Sequence, residues 1–224
     1  VPTVDLTLAR RLQTELRLER AVETGTYLGG TTRALAGLFP SVVTIERSEE
    51  LHREATLRLQ DLANVQALQG HSVDRLPEVV DVDAPTLYFL DGHWSDGVTA
   101  GADDECPVLR ELRAIGAGHP GDCLVIDDAR LFMAAPPPPH DPTAWPTLLE
   151  VLDAVRTDRP NHHVTILEDQ ILAVPQEGRG IVDAHGQSLL LREQQSGWRE
   201  QAQAFREMLG ERLRRRADGG GAPS

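Results

Sequence analysis

Cysteine is scarce in this 224-residue sequence: there are two, Cys106 and Cys123, and their separation fits neither a metal-ligand nor a redox spacing. Cys123 falls in the apolar run Cys123-Leu-Val-Ile126, which reads as a buried, reduced thiol. Long apolar runs are also missing, and none approaches the ~20 residues that a membrane span needs. The N-terminus lacks a charged stretch followed by an apolar one, the layout of a secretion leader. These absences give the expectation of a soluble, cytoplasmic protein with no membrane partner. Positive charge is in short supply. Lysine plus arginine number 22 against 35 aspartate plus glutamate, a net charge of −13. A surface of that sign repels phosphate backbones, which argues against nucleic acid as a partner. The basic run Arg212 to Arg216 reads instead as cations at a helix C-terminus.

What the chain does have is alternation between strand-like and helix-like segments. Asp5 to Leu18 carries Leu6, Leu8, Leu12 and Leu16 at helical spacing behind an aspartate cap. Ala21-Val22 then leads into Gly25-Thr-Tyr-Leu-Gly-Gly30, with a helix expected from Thr31 to Leu38. Ser41 to Ile45, Val65 to Leu68, Thr86 to Leu90 and Cys123 to Ile126 are short apolar runs of the kind that a buried parallel sheet requires. Glu49 to Leu59 and Cys106 to Ile115 read as helices between them. After the proline run Ala134-Ala-Pro-Pro-Pro-Pro139, a helix is expected over Trp145 to Val155. His163 to Leu167 and Ile171 to Val174, joined by Glu168-Asp-Gln170, read as a hairpin closing the sheet. The fold class that follows is α/β: a Rossmann-like three-layer sandwich with a mostly parallel seven-stranded sheet and a C-terminal antiparallel hairpin. The expected division is a main domain over 1–185, a helical extension over 186–216 and a disordered tail over 217–224.

Three strand ends carry the chemistry. In the first, Val22-Glu-Thr-Gly-Thr-Tyr-Leu-Gly-Gly-Thr31, glycines let the backbone turn tightly and approach a ligand at a helix N-terminus. A dinucleotide fingerprint would need glycine where Tyr27 stands. A phosphate-binding P-loop would need lysine after its last glycine, but Gly30 is followed by Thr31-Thr32. The loop therefore suits a ligand with an amino-acid end and no phosphate. In the second, Glu46 closes Val42-Val-Thr-Ile-Glu46, at the spacing of an acid that takes both ribose hydroxyls; the rival reading is a solvated strand-end charge. In the third, Leu90-Asp91 ends another strand.

Glu23-Thr-Gly-Thr-Tyr-Leu-Gly-Gly-Thr31, Thr44-Ile-Glu46, Gly70-His-Ser72, Phe89-Leu-Asp-Gly-His-Trp94 and Ile126-Asp-Asp128 together resemble the class I S-adenosylmethionine-dependent methyltransferases. The nearest subgroup is the metal-dependent, catechol O-methyltransferase-like enzymes. The resemblance runs from Val22 to Val174. It implies that S-adenosylmethionine is the cofactor, cradled by Glu23, Gly25, Thr26, Tyr27, Gly29 and Thr31. Glu46 and Arg47 would lie at the ribose, His71, Ser72 and Trp94 at the adenine, and Asp91 beside the cofactor. Asp91, Asp127 and Asp128 fall where the family places its metal ligands, although the third is commonly asparagine there. Hard oxygen ligands suit Mg²⁺ or a similar cation, and crowded carboxylates call for one. The rival reading has Asp91 serving the cofactor alone, with Asp127 and Asp128 capping a loop or pairing with Arg130.

One departure is informative. Catechol-type enzymes carry Asp-His-Trp-Lys, with that lysine as base, whereas this chain has Asp91-Gly-His-Trp-Ser95. His93 is the nearest replacement as catalytic base, since imidazole titrates near neutrality; packing beside adenine with Trp94 is its other reading. Asp103-Asp-Glu105 reads first as a helix cap. His140-Asp141 reads as surface loop or acceptor lid, and His162-His163 as structural. The activity implied is methyl transfer to a hydroxyl of a small-molecule acceptor with divalent-metal assistance. The alternatives are a metal-free N-methyltransferase and a non-catalytic cofactor-binding or assembly module. The C-terminal helices would be the surface for a homodimer.

Overall fold

The short apolar runs become the strands of one sheet. The computed structural model describes residues 4–94, 104–134, 136–192 and 194, and the chain divides into two units, 1–181 and 182–224. In chain order the first unit contains α1 (Leu6–Leu16), β1 (Arg20–Thr24), α2 (Gly30–Ala36), β2 (Ser41–Glu46), α3 (Glu49–Leu59), β3 (Val65–Gln69) and α4 (Ser72–Val79). There follow β4 (Thr86–Leu90), α5 (Val108–Ile115), β5 (Cys123–Ile126), α6 (Ala129–Met133), α7 (Leu148–Asp158), β6 (His163–Leu167) and β7 (Gln170–Val174). Across the sheet the order is β3-β2-β1-β4-β5-β7-β6. Only β7 runs antiparallel to its neighbours, β5 and β6; helices cover both faces. This is the Rossmann-like architecture that the alternation implied, including the closing hairpin.

Burial follows from that layering. All five residues of β4 are buried, as parallel strands covered on both faces require. Leu87, Tyr88 and Phe89 are fully enclosed, and each such side chain contributes about 1.5–3 kcal/mol through removal from water. β1 lies between β2 and β4 in register, with Val22 opposite Val43 on one side and Tyr88 on the other. From β1 the chain winds outward to β2 and β3, then returns to the far side at β4. That reversal opens a crevice at the C-terminal ends of β1 and β4, where sheets of this kind bind ligands. Thr24, Glu46, Gln69, Leu90 and Ile126 end the five strands at whose ends the residues singled out from sequence lie.

Several boundaries differ from the sequence expectation. α4, whose bounds were not given from sequence, holds Pro77 and is capped by the His71 side chain, an unusual cap. α7 starts at Leu148 rather than Trp145, because Thr147 and Glu150 form a capping box and Pro142–Ala144 are a separate 3-10 turn. The hairpin link is Glu168-Asp169, with Glu168 at φ 52° and Gln170 already in β7. Cys123 is a buried free thiol, as read from the sequence, and Cys106 is a partly buried one. In the second unit residues 182–192 are helical. The rest of the extension expected over 186–216, the tail 217–224 and most of the proposed dimer surface lie outside the described residues. Among the described residues no helix is long and apolar enough to cross a membrane.

Candidate functional site

The glycine loop takes its shape from close contact between two strand ends. Gly25 has φ +82°, and its N–H donates to the Ile45 carbonyl at 3.0 Å. A Cβ there would stand 2.1 Å from the Asp91 carbonyl oxygen, so only glycine lets β1 and β4 end side by side. Gly29, at φ +77°, closes the loop through its N–H to the Thr26 carbonyl and caps α2. Tyr27 also has positive φ and is half exposed. Thr31 is half buried in the first turn of α2. Glu23 and Thr26, both expected at the cofactor, are buried. Glu23 accepts from the hydroxyls of Thr32 and, at 2.6 Å, Thr44, while the Thr26 and Thr44 hydroxyls pair at 2.6 Å. Burial pushes the Glu23 carboxyl up to about 7 despite those two donors.

Glu46 faces this loop from the end of β2. One carboxylate oxygen accepts from the Tyr27 N–H and the other from the Ser48 N–H, both at 2.8 Å. Two backbone donors thus fix its plane, and each oxygen keeps a lone pair for a further donor. The Arg47 carbonyl accepts from the Gln69 amide at 3.2 Å. His71 Nδ1 accepts from the Val73 N–H at 3.2 Å, so Nε2 carries the hydrogen that it donates to Asp104 at 2.7 Å. Ser72 is buried at the start of α4.

The third cluster departs most from expectation. Asp91, His93 and Asp128 each present one ligand atom, and these atoms lie within 4.8 Å of one another. His93 Nε2 is 2.7 Å from Asp128 Oδ2, and its Nδ1 is 3.5 Å from Asp91 Oδ1. Asp127, expected as a ligand with Asp91 and Asp128, lies outside this cluster and accepts from the Gln170 amide at 3.0 Å. Consecutive carboxylates part here because Asp128 adopts φ 56°, which redirects its side chain. The second oxygen of Asp128 meets Arg130 at 2.7 Å, so the pairing with Arg130 holds together with the cluster. Burial, partly offset by His93 and reinforced by Asp127 and Asp128, pushes Asp91 up to about 8. For Asp128 the desolvation is outweighed by His93 and Arg130, which hold it below its ordinary value.

The proline-rich segment is anchored over this centre by a carboxylate. Glu105, 6% exposed, accepts from the Asp141 N–H at 3.0 Å and from Trp145 Nε1 at 2.9 Å, and lies 3.2 Å from His140 Nδ1. Its own carbonyl accepts from the Trp94 N–H at 2.7 Å. The rings of Trp94 and His140 meet edge-on, and Trp145 lies 5.5 Å from His93. Glu105 is therefore no helix cap; Pro107 holds that position before α5, while Asp104 pairs with His71 and Arg110. Asp103 and Ser95 lie outside the described residues.

No family model matches the sequence, and no curated protein matches it. Solved structures do. The fold is that of the class I methyltransferases. The O-methyltransferase TomG from Streptomyces achromogenes, involved in tomaymycin synthesis and solved in complex with S-adenosylmethionine, is 24% identical with a TM-score of 0.52. That alignment covers 76% of this chain and 77% of TomG. An O-methyltransferase from Bacillus cereus, in complex with S-adenosylhomocysteine, is 21% identical over 77% of this chain and 82% of its own, with a TM-score of 0.53. At such identities the likeness establishes the methyltransferase fold and no more.

The sequence reading missed Glu105, Trp145, Gln170 and Glu111. For Glu111 a signal was present: it lies on the face of α5 that also buries Val108, Leu112 and Ile115, and an acid on an apolar stripe is the anomaly to follow. For Glu105 and Gln170 there was none, because their partners are 36 and 43 residues away.

Proposed function

We propose that this protein transfers the methyl group of S-adenosylmethionine to a hydroxyl oxygen of a small molecule, assisted by a divalent cation, Mg²⁺ or a similar ion. The observation that carries the proposal is the convergence of a loop that only glycine can form at position 25 with the fixed carboxylate of Glu46 and the end of β4 at Asp91. A loop with Tyr27 in place of a pyrophosphate-admitting glycine suits a ligand whose end is an amino acid. Glu46, held by two backbone N–H groups, is set to accept from the two ribose hydroxyls.

Asp91, His93 and Asp128 fit a divalent cation by donor type and by the closeness of their ligand atoms. Two carboxylates and one imidazole suit a hard or borderline ion. When bound, such an ion would lower the pKa of the acceptor hydroxyl. The protein's own part is placement. Asp128 and Trp145 hold the His93 ring, Gln170 donates to Asp127, and Glu105 fastens the loop bearing His140 over the centre. The methyl sulfonium needs alignment more than activation, so placement is the larger part of the task. No lysine occurs anywhere in the chain, so the lysine base of the catechol-type relatives has no substitute of its own kind here.

One observation favours a second reading. Asp128 is already paired with both His93 and Arg130, an arrangement that is self-sufficient without an ion. In this metal-free reading the acceptor is an amine, Nε2–H of His93 is donated to Asp128, and Nδ1 takes the acceptor's proton. The test is turnover of S-adenosylmethionine with a panel of hydroxyl and amine acceptors, in chelator and after Mg²⁺ is returned. Loss in chelator with recovery by Mg²⁺ supports the first reading. Full activity in chelator, with metal analysis finding no ion, supports the second.

A further inference from the structure

α5 carries a carboxyl group in the middle of its buried face. Glu111 is 1% exposed, in line with Val108, Leu112 and Ile115, which pack into the core. A carboxyl so enclosed is costly unless donors surround it. Its neighbours come from three segments remote in sequence. The Thr24 hydroxyl at the end of β1 and the Ser72 hydroxyl at the start of α4 both hydrogen-bond it. At Gly92 a Cβ would stand 2.8 Å from Glu111 Oε1 and 3.1 Å from Thr24 Oγ1, so the turn after β4 lies directly on the carboxyl. Thr24 Oγ1 in turn accepts from the Asp91 N–H at 3.3 Å. Oε1 makes no hydrogen bond to a described group. It borders a cavity with room for about one water, whose lining also includes His93 and Asp127.

We propose that Glu111 is a positioning residue for methyl transfer, holding the glycine-loop strand, Ser72 and the Asp91-Gly92-His93 turn in mutual register without itself touching the cofactor. The inference rests on the methyltransferase reading, since these three segments are the ones assigned to the cofactor and the reacting centre. Stability alone is a poor reason for the group. Burying a carboxyl carries a desolvation cost that two neutral hydroxyl donors only partly offset. A leucine would continue the α5 stripe and leave the fold intact, while losing the link between Thr24, Ser72 and Gly92. Burial also holds the Glu111 carboxyl above its ordinary range, so a neutral isostere that keeps an acceptor oxygen should serve in its place.

The test compares Glu111→Leu, Glu111→Gln and the parent by melting temperature and by calorimetric titration with S-adenosylhomocysteine. Glu111→Leu is expected to melt at or above the parent's temperature yet bind at least about tenfold more weakly, the loss of one or two hydrogen-bonded contacts. Glu111→Gln should recover affinity to within about threefold of the parent. Should the leucine variant fail to fold, Thr24→Val removes one arm of the same network and is expected to weaken binding severalfold, while Glu111→Gln stays near the parent. Parental affinity in Glu111→Leu, or in Thr24→Val where that variant must be used, overturns the proposal. An absence of binding by the parent itself is a different result: it removes the methyltransferase reading and the inference with it.

Discussion

His93 bridges two carboxylates that flank the end of β4: its Nε2 is 2.7 Å from Asp128 and its Nδ1 is 3.5 Å from Asp91. An imidazole that ligates a cation cannot also take a proton from the acceptor, so two roles read separately from the sequence fall on one side chain. The donor set then predicts which substitutions matter for an ion. In titrations with Mn²⁺ followed by electron paramagnetic resonance, His93→Gln and Asp128→Asn should each weaken binding about tenfold or more. Asp127→Asn should stay close to the parent, because Asp127 is engaged by Gln170. Loss of binding in Asp127→Asn and Asp128→Asn, with His93→Gln near the parent, would restore the all-carboxylate trio of Asp91, Asp127 and Asp128.

Gly25 and Gly30 bracket the same loop but answer to different constraints. Gly25→Ala puts a Cβ 2.1 Å from the Asp91 carbonyl at a positive φ, and should cost about 2 kcal/mol or more in stability. Gly30 has open space around its Cβ position and begins α2. Gly30→Ala should therefore raise stability by about 0.5–1 kcal/mol. Denaturant melts of the two variants check both signs.

Glu23 predicts a dependence on pH. Its folded-state pKa, about 7, lies above the ordinary 4.5, so between these values the folded protein binds the extra proton. The stability it supports is full below 4.5 and is lost as pH rises through 7. Glu23→Gln, which has no charge to bury, should gain on the parent progressively from pH 5 to 8, by an amount on the order of a few kcal/mol. Denaturant melts of both proteins across that range measure it; a constant difference would mean that Glu23 does not titrate there.

What the sequence disclosed and what it did not divide along physical lines. The strands were legible because a parallel sheet covered on both faces requires unbroken apolar runs, as in Thr86–Leu90 and Cys123–Ile126. Gly25 and Glu46 were legible because each sits at the end of such a run, where topology alone decides what they face. The roles of Asp127 and Asp128 were not, because one backbone angle at Asp128 separates two adjacent carboxylates. The hydroxyls of Thr32 and Thr44 that meet Glu23 were not legible either, because they lie 9 and 21 residues away. The bounds of α4 were not legible, because histidine is a rare cap and Pro77 a rare interior residue.

The central claim, that the crevice between β1 and β4 binds S-adenosylmethionine, is tested most directly by calorimetric titration of the purified protein with S-adenosylhomocysteine, alongside Glu46→Ala. The account predicts one site per chain in the parent. It predicts affinity about 10- to 100-fold weaker in the variant, since the ribose loses hydrogen bonds to a charged acceptor. Heat of binding absent from the parent, at concentrations that saturate other methyltransferases of this fold, would contradict it.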